Sequence, residues 1–401
     1  LDILAPRDEA EILDALRSAG EGATFDIVSG GTKEAMGRAG TASHRLDVSA
    51  LSGIISYEPD ELILTARAAT PVAEITELLN ARQQMLAFSP ADWGPVFGAA
   101  AQAATLAGIA AANACGSRRI KSGAVRDHLI GCRFVNGAGE AIKAGGRVVK
   151  NVTGFDIPKL MCGAFGTLGV MTEMTFRLAP SARRVSTVAV RDIGVADGLA
   201  LLRKAAGLPF EPTGLAYLPP AVAARSAALR ATSLAHANGL ALIRVEGAED
   251  PLIDKLARLK DIFARQNLSV LDDAITDALF AEIGNGAAFV GMDTDIWRLF
   301  VPASAAPAAL KEAQADLWYA DWAGDVLWLG LPATEETAQR LRRIAKDYGG
   351  HAMLMRGSGD ARAALAVFEP EAPARAALTR GVKAAFDPGH RLNPGRMYRD
   401  L

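Results

Sequence analysis

Apolar positions in the first 180 residues fall into short runs with two different periods. In residues 9–19 (EAEILDALRSA), Ile12, Leu13 and Leu16 share one face of a 3.6-residue repeat, which predicts an amphipathic helix. Residues 71–81 (PVAEITELLNA) repeat the pattern, with Val72, Ile75, Leu78 and Leu79 inward and Pro71 at the first helical position. Residues 61–68 (ELILTARA) instead alternate apolar and polar side chains, as a half-buried strand does. Residues 25–28 and 170–178 are short apolar runs that also read as strands. No regular βαβ series emerges, so this region reads as α+β.

The organisation changes near Pro180. Strand-like runs at 185–190, 241–245, 296–301 and 326–329 alternate with helical patterns at 251–263 and 335–347. Such repeats suit an antiparallel sheet with helices packed on one face. A chain of 401 residues also exceeds one typical core, which makes two domains the expectation.

Composition narrows the class. Lys and Arg total 43 against 45 Asp and Glu, a formal net charge of -2, so electrostatics provide no case for a nucleic-acid partner. Cys115, Cys132 and Cys162 show no CxxC spacing, which argues against a disulfide framework and against an iron–sulfur cluster held by this chain alone. That usage fits a reducing compartment, most simply the cytoplasm. The opening LDILAPRD lacks the basic-then-apolar order of a signal peptide. Residues 96–114 are rich in Ala and Gly, but Gln102, Thr105 and Asn113 interrupt them, so they do not read as a transmembrane segment.

Glycine carries the chemistry. The first glycine-rich stretch is Ser29-Gly30-Gly31-Thr32-Lys33, directly after the apolar run 25–28. The second begins at Thr105-Leu106-Ala107-Gly108, continues through Asn113-Ala114-Cys115-Gly116-Ser117, and ends at Ser122-Gly123-Ala124-Val125-Arg126-Asp127. Glycine permits positive φ and close backbone approach, and successive N–H groups in such turns make concavities for anionic oxygens. Two loops of different design imply an elongated ligand with a pyrophosphate in its middle. Neither loop fits GxGxxG opening a long helix, so the Rossmann fingerprint is absent. A third segment, 145–173 (GGRVVKNVTGFDIPKLMCGAFGTLGVMTE), places glycines at the entry of a strand. Taken singly, each glycine is explained by a tight turn; three such loops in this order ask for more.

The order SGGTK, PADW with TLAG and NACGS, SGAVRDHLIG, then GTLGVMTE resembles FAD-binding domains of the vanillyl-alcohol oxidase and p-cresol methylhydroxylase type. KNVTGFDIPKLMCGAFGTLGV and the terminal FDPGHRLNPGRMY look like the FAD-binding subunits of bacterial glycolate oxidases. The resemblance spans nearly the whole chain and is specific over 26–178 and 386–400. It implies an α+β fold with a two-part FAD-binding domain over 1–180, an antiparallel α+β cap over 181–355, and a segment over 356–401 that returns to the FAD-binding domain.

The resemblance also implies roles. Ser29, Gly30, Gly31, Thr32 and Lys33 would wrap the FAD pyrophosphate with backbone N–H groups. Pro90 would belong to the same cofactor site. Thr105, Gly108, Asn113, Gly116 and Ser117 would continue towards the flavin, and Ser122, Gly123, Val125 and Asp127 would complete that wall. Gly166, Gly169 and Val170 would lie by the adenosine half, and Asn393 at the isoalloxazine edge. Ala107 departs from the family, which has the first of two glycines there. The Lys33 side chain reads as solvated at the loop edge, since backbone N–H groups already supply the anion site. His128 reads as structural, and Cys115 as a buried thiol. No histidine stands in the first loop, where some relatives attach flavin covalently, so the FAD is expected to be non-covalent.

A hydroxy-acid pocket needs a cation for the carboxylate and a base for the hydroxyl. Arg244, Arg298 and Arg356 are candidates for the cation. Relatives that oxidise D-2-hydroxy acids unaided carry a His-x-His pair beside a metal, whereas His351 here has no second histidine two residues away. No metal is therefore expected, and the catalytic residues stay unassigned. The first expectation is a FAD-binding subunit of a glycolate oxidase or dehydrogenase complex acting on glycolate or D-lactate. A second flavoprotein subunit would be catalytic and an iron–sulfur subunit would carry electrons away. Such a subunit would be cytoplasmic, with membrane association only through its partners. The alternative is a self-sufficient FAD-dependent 2-hydroxyacid dehydrogenase using His128 or His351 as base. A structural subunit with a degenerate FAD site is the third reading, and the intact glycine loops count against it.

Overall fold

The computed structural model describes residues 2–20, 22–146 and 155–401. Residues 147–154 of the third glycine-rich segment lie outside the described residues. The chain divides into two units: Leu1–Ala114, Ala124–Ser181 and Arg362–Leu401 form the first, and Cys115–Gly123 with Ala182–Ala361 form the second.

The first unit contains two sheets. Strands Asp2–Leu4 and Phe25–Val28 flank His44–Asp47 in a small parallel sheet. The helix Glu9–Ser18 is capped by Asp8, whose carboxylate accepts from the Glu11 N–H. Its predicted stripe is buried: Ile12 and Leu16 pack with Phe25, Leu46, Val135, Val170 and Leu392. Burial of each such side chain contributes about 1.5–3 kcal/mol. The antiparallel sheet centres on Val170–Pro180, which pairs with Ile63–Arg67 on one side and Leu129–Val135 on the other. Helix Val72–Asn80 buries Val72, Ile75 and Leu79. Pro71 stands just before it, in a bridge with Thr105 that sets the second glycine loop beside the helix start.

The last forty residues return to this unit. Helix Pro373–Phe386 ends in a buried ion pair: Lys383 Nζ lies 2.6 Å from Asp387 Oδ2, with side-chain exposures of 1% and 0%. The ammonium also donates to the carbonyls of Thr167 and Leu392, at 2.8 and 2.9 Å. Asp387 in turn accepts from the N–H groups of Arg391 and Leu392. Every strong group of the pair is therefore tied to backbone, which sets the path of the terminal tail.

The second unit is built on an eight-stranded sheet in which every pairing is antiparallel. Its order is Asn267–Leu271, Arg184–Arg191, Leu240–Gly247, Gly214–Leu218, Leu317–Asp321, Val326–Gly330, Ile296–Phe300 and His351–Arg356. Four of these strands match the runs expected from sequence. Gly214–Leu218 is buried at every position, so it lacks the alternation that marks a strand.

Residues 115–123 fall outside a simple division at 180, because their partners lie in the second unit. Ser117 Oγ donates to Asp321 at 2.7 Å, and Trp322 Nε1 donates to the Gly116 carbonyl at 3.3 Å. Arg118 pairs with Glu246 and Lys121 with Glu211. A Cβ on Gly284 would lie 2.8 Å from the Gly116 Cα, so only glycine allows this approach.

Removing one partner of a buried ion pair strands the other charge. Lys383→Ala is expected to lower stability by about 3–5 kcal/mol in urea unfolding. Arg380→Ala, which breaks the exposed pair with Asp400, is expected to change it by less than about 1 kcal/mol.

Candidate functional site

A groove of about 560 Å³ opens in the first unit where the strand Phe25–Val28 runs into the first glycine loop. Its lining includes Ser29, Gly30, Gly31, Thr32, Lys33, Thr105, Gly108 and Asn393, eight residues singled out by sequence. Backbone geometry explains the glycines. Gly31 has φ +67°, and a Cβ on Gly30 would lie 2.3 Å from the Ala103 carbonyl oxygen. The two loops are also joined by Ser29 Oγ, which donates to Thr105 Oγ1 at 3.0 Å. Thr105 Oγ1 then accepts from the Gly108 N–H at 3.3 Å.

Lys33 is half-buried, and its side chain lies against the second loop rather than in solvent. A Cβ on Gly108 would be 3.9 Å from Nζ. The ammonium donates to Thr32 Oγ1 at 3.1 Å. Desolvation pushes its pKa down to about 8, against the opposing pull of Asp92. The expected solvated lysine at the loop edge is thus replaced by a desolvated cation in the groove wall.

Asn393 reaches the groove with φ +43°. Its side-chain oxygen accepts from the Ile27 N–H at 2.8 Å, and its amide nitrogen donates to the Phe165 carbonyl at 2.6 Å. The carboxamide is a clamp between the strand Phe25–Val28 and the glycine turn before Val170. Gly166 serves that clamp, since its Cβ would lie 2.6 Å from Asn393 Nδ2. Gly169 has a packing reason too: its Cβ would lie 2.6 Å from the Phe134 ring. Val170 opens the central strand, paired with Val135. None of these three lines the groove.

Other candidates separate. Pro90 lines a different, open groove of about 1210 Å³ with Ala91 and Asp92. Asn113 has φ +46°, and its side-chain oxygen accepts from the Arg126 N–H at 3.3 Å. Val125 begins a single 3-10 turn in which Asp127 accepts from the Ala124 N–H. Gly116, Ser117, Ser122 and Gly123 belong to the second unit. His128 is buried, in contact with Arg177 at 3.3 Å and stacked on Phe88, a structural setting. Sequence reasoning passed over Arg396 and Phe165, both in the groove lining. The signal for Arg396 was its position three residues after Asn393 in the terminal motif.

The second unit holds its own buried polar cluster. Arg298 stacks against Phe300, Trp322 and Trp328, at 4.9, 5.3 and 4.7 Å from the ring centroids. Burial lowers its pKa to about 10. Asp321, accepting from Ser117 Oγ and the Trp322 N–H, is pushed up to about 6 by burial. Trp322 and Ala323 follow with φ +52° and +60°, a left-handed pair that stores backbone strain. His351 stacks on Phe300 at 4.3 Å, with its pKa lowered first by burial and then by Arg298 and Arg119. The other carboxylate-clamp candidates have structural duties: Arg244 binds Thr213, Glu246 and Asp277, and Arg356 donates to the carbonyls of Met292 and Thr294. Cys115 is buried in the same unit.

Known proteins share sequence and fold with this chain. Residues 2–145 match the family model described as FAD binding domain. The chain is 29% identical over 391 residues to glycolate oxidase subunit GlcE of Escherichia coli (strain K12), covering 97% of each chain. It is 27% identical over 446 residues to D-2-hydroxyglutarate dehydrogenase of Xanthomonas citri, covering 99% of this chain and 89% of that one. Among solved structures, p-cresol methylhydroxylase with substrate bound superposes with a TM-score of 0.72 at 14% identity, over 100% of this chain and 89% of that one. Residues 2–145 are thus a FAD-binding domain, the chain has the α+β fold of p-cresol methylhydroxylase, and FAD is its cofactor.

Proposed function

We propose that the chain is the FAD-binding subunit of an oxidoreductase assembly of the glycolate oxidase kind, which converts glycolate or D-lactate to the 2-oxo acid. The observation that carries this reading is the end-to-end similarity to glycolate oxidase subunit GlcE. The groove in the first unit fits the cofactor's diphosphate. A desolvated ammonium faces it, and Gly30, without room for a Cβ, and Gly31, with its positive φ, form its wall.

Ser29, Gly30, Gly31 and Thr32 would hold the diphosphate through backbone N–H groups, and Lys33 would neutralise it. Thr105 and Gly108 would close the opposite side, while Asn393 would hold the strand and turn in place. Gly166, Gly169 and Val170 would act through packing that shapes this wall. Pro90, Asn113, Val125 and Asp127 would shape the loops around it, and Gly116, Ser117, Ser122 and Gly123 would serve the flavin end. Bound FAD supplies a two-electron acceptor for the hydride of a C–H bond beside a hydroxyl. Its attachment would be non-covalent, since no histidine stands in the first loop.

A second flavoprotein subunit would carry out substrate oxidation, and an iron–sulfur subunit would remove the electrons. The FAD held by this chain would relay electrons or support assembly. Among the described residues, no group of three His, Cys, Asp or Glu could hold a metal ion. No helix among them is long and apolar enough to cross a membrane. The assembly would be cytoplasmic, reaching a membrane only through its partners.

Buried Arg298 and Asp321, with the exposed His351 stacked on Phe300, favour a second reading, a self-sufficient 2-hydroxyacid dehydrogenase. Arg298 would hold the carboxylate, and His351, neutral at pH 7 because its pKa is lowered, would take the hydroxyl proton. Anaerobic mixing of the purified chain with glycolate or D-lactate separates the two. The subunit reading expects no rapid bleaching of flavin absorbance; bleaching within seconds selects the second.

The purified chain is expected to be yellow and to release FAD on acid denaturation. Gly31→Asp, which puts a carboxylate into the loop, is expected to abolish flavin retention, read as the flavin-to-protein absorbance ratio. Full retention in that variant would remove the loop from the site.

Lys33 makes binding depend on pH. It is charged below about pH 8, so affinity of the flavin-free chain for FAD is highest there and falls as pH rises through that value. Lys33→Met is expected to flatten the profile and weaken binding at pH 7 by about 10-fold or more, measured by fluorescence titration. Stability runs the other way. The unfolded lysine titrates near 10.4, so between about pH 8 and 10.4 the unfolded chain holds the extra proton and folding gains with pH. Lys33→Met should therefore raise the melting temperature of the flavin-free chain at pH 7.

A further inference from the structure

We propose that Arg396 is the positioning residue of the diphosphate loop: its guanidinium bridges the carbonyls of Lys33 and Glu34 and so holds the loop's N–H groups turned into the groove. The inference rests on that groove being the FAD diphosphate site. A turn that aims consecutive N–H groups at a ligand sends its carbonyl oxygens the other way, where donors can pin them, as the Met36 N–H does the Lys33 carbonyl at 3.0 Å. Arg396 supplies further donors from the terminal tail. Its Nη2 donates to the Glu34 carbonyl at 2.8 Å and to the Lys33 carbonyl at 3.1 Å.

The arginine is itself held from several sides. Its Nη1 lies 3.6 Å from Asp26 Oδ1, with only 14% of the side chain exposed. Its own carbonyl accepts from the Arg38 N–H at 2.8 Å. Gly37, at φ +85°, clears its path, because a Cβ there would lie 3.0 to 3.2 Å from the Arg396 carbonyl oxygen, Nε and Cδ. The Glu34 carboxylate is paired with Arg45 at 2.5 Å and adds its charge near the guanidinium. A planar guanidinium can serve two carbonyls while a third group holds its other edge. An ammonium on a lysine stem cannot reproduce that geometry.

The test compares the full-length chain, stripped of flavin, with Arg396→Gln, Arg396→Lys and Lys33→Met, titrating each with FAD and with ADP. Arg396→Gln is expected to weaken both ligands by the same factor, about 10- to 100-fold, since both carry the diphosphate. Arg396→Lys keeps the charge but should stay within about threefold of Arg396→Gln. Saturated with FAD, both variants should show shifted diphosphate 31P resonances. Wild-type affinity in Arg396→Lys would overturn the proposal, because charge alone would then suffice. Wild-type affinity in Arg396→Gln with a loss in Lys33→Met would also overturn it and leave the diphosphate site standing. Wild-type affinity in both Arg396→Gln and Lys33→Met would remove the site together with the proposal. If Arg396→Gln does not fold, Arg396→Lys and its 31P spectrum decide by the same criteria.

Discussion

The ion pair between Lys383 and Asp387 is the constraint on which the groove of the first unit depends. Taking two charges out of water is costly, and their attraction offsets that only when every remaining donor and acceptor is used. Here the ammonium reaches Thr167 and Leu392 carbonyls while the carboxylate takes two tail N–H groups. The pair therefore joins the terminal helix, the glycine turn and the tail at one point. Asn393 follows Leu392 directly, so its clamp on Ile27 and Phe165 inherits that position. Gly137 completes the arrangement: a Cβ there would lie 1.9 Å from Asp387 Oδ1, so another residue would displace the carboxylate.

Within the groove, stability and binding pull against each other. The flavin-free fold keeps the Lys33 ammonium desolvated, a state that an anion relieves and that the empty groove does not. Arg396 differs, since its Nη2 already donates to the Lys33 and Glu34 carbonyls. One cation is thus poised for a ligand and the other for the backbone that receives it. The difference follows from partners rather than from charge.

Much of the first unit was legible in sequence. The stripe of Ile12 and Leu16 reflects a local period, which survives folding because it encodes which face is buried. The strand expected at 61–68 forms at Ile63–Arg67, but Ile63, Leu64, Thr65 and Ala66 are all buried, so the half-buried alternation did not hold. Strands buried at every position, such as Gly214–Leu218, carry no such period and were missed. The loop glycines 30 and 31 were singled out in sequence and line the groove, each for a different physical reason. Gly31 needs its φ, and Gly30 needs room beside Ala103. Gly166 and Gly169 looked similar in sequence but answer to Asn393 and Phe134.

The sequence by itself determined the α+β class and the two loops of the groove, because these rest on residue type and short spacing, while FAD followed from the family resemblance of its motifs. Only the tertiary structure decided which side chains face the groove and which hold its walls. Lys33 moved from solvent to the groove, Asn393 became a clamp, and Arg396 emerged as the donor to the loop carbonyls. Residues 115–123 joined the second unit through Ser117, Arg118 and Trp322. Those assignments depend on contacts between residues up to 366 positions apart, and no local pattern encodes them.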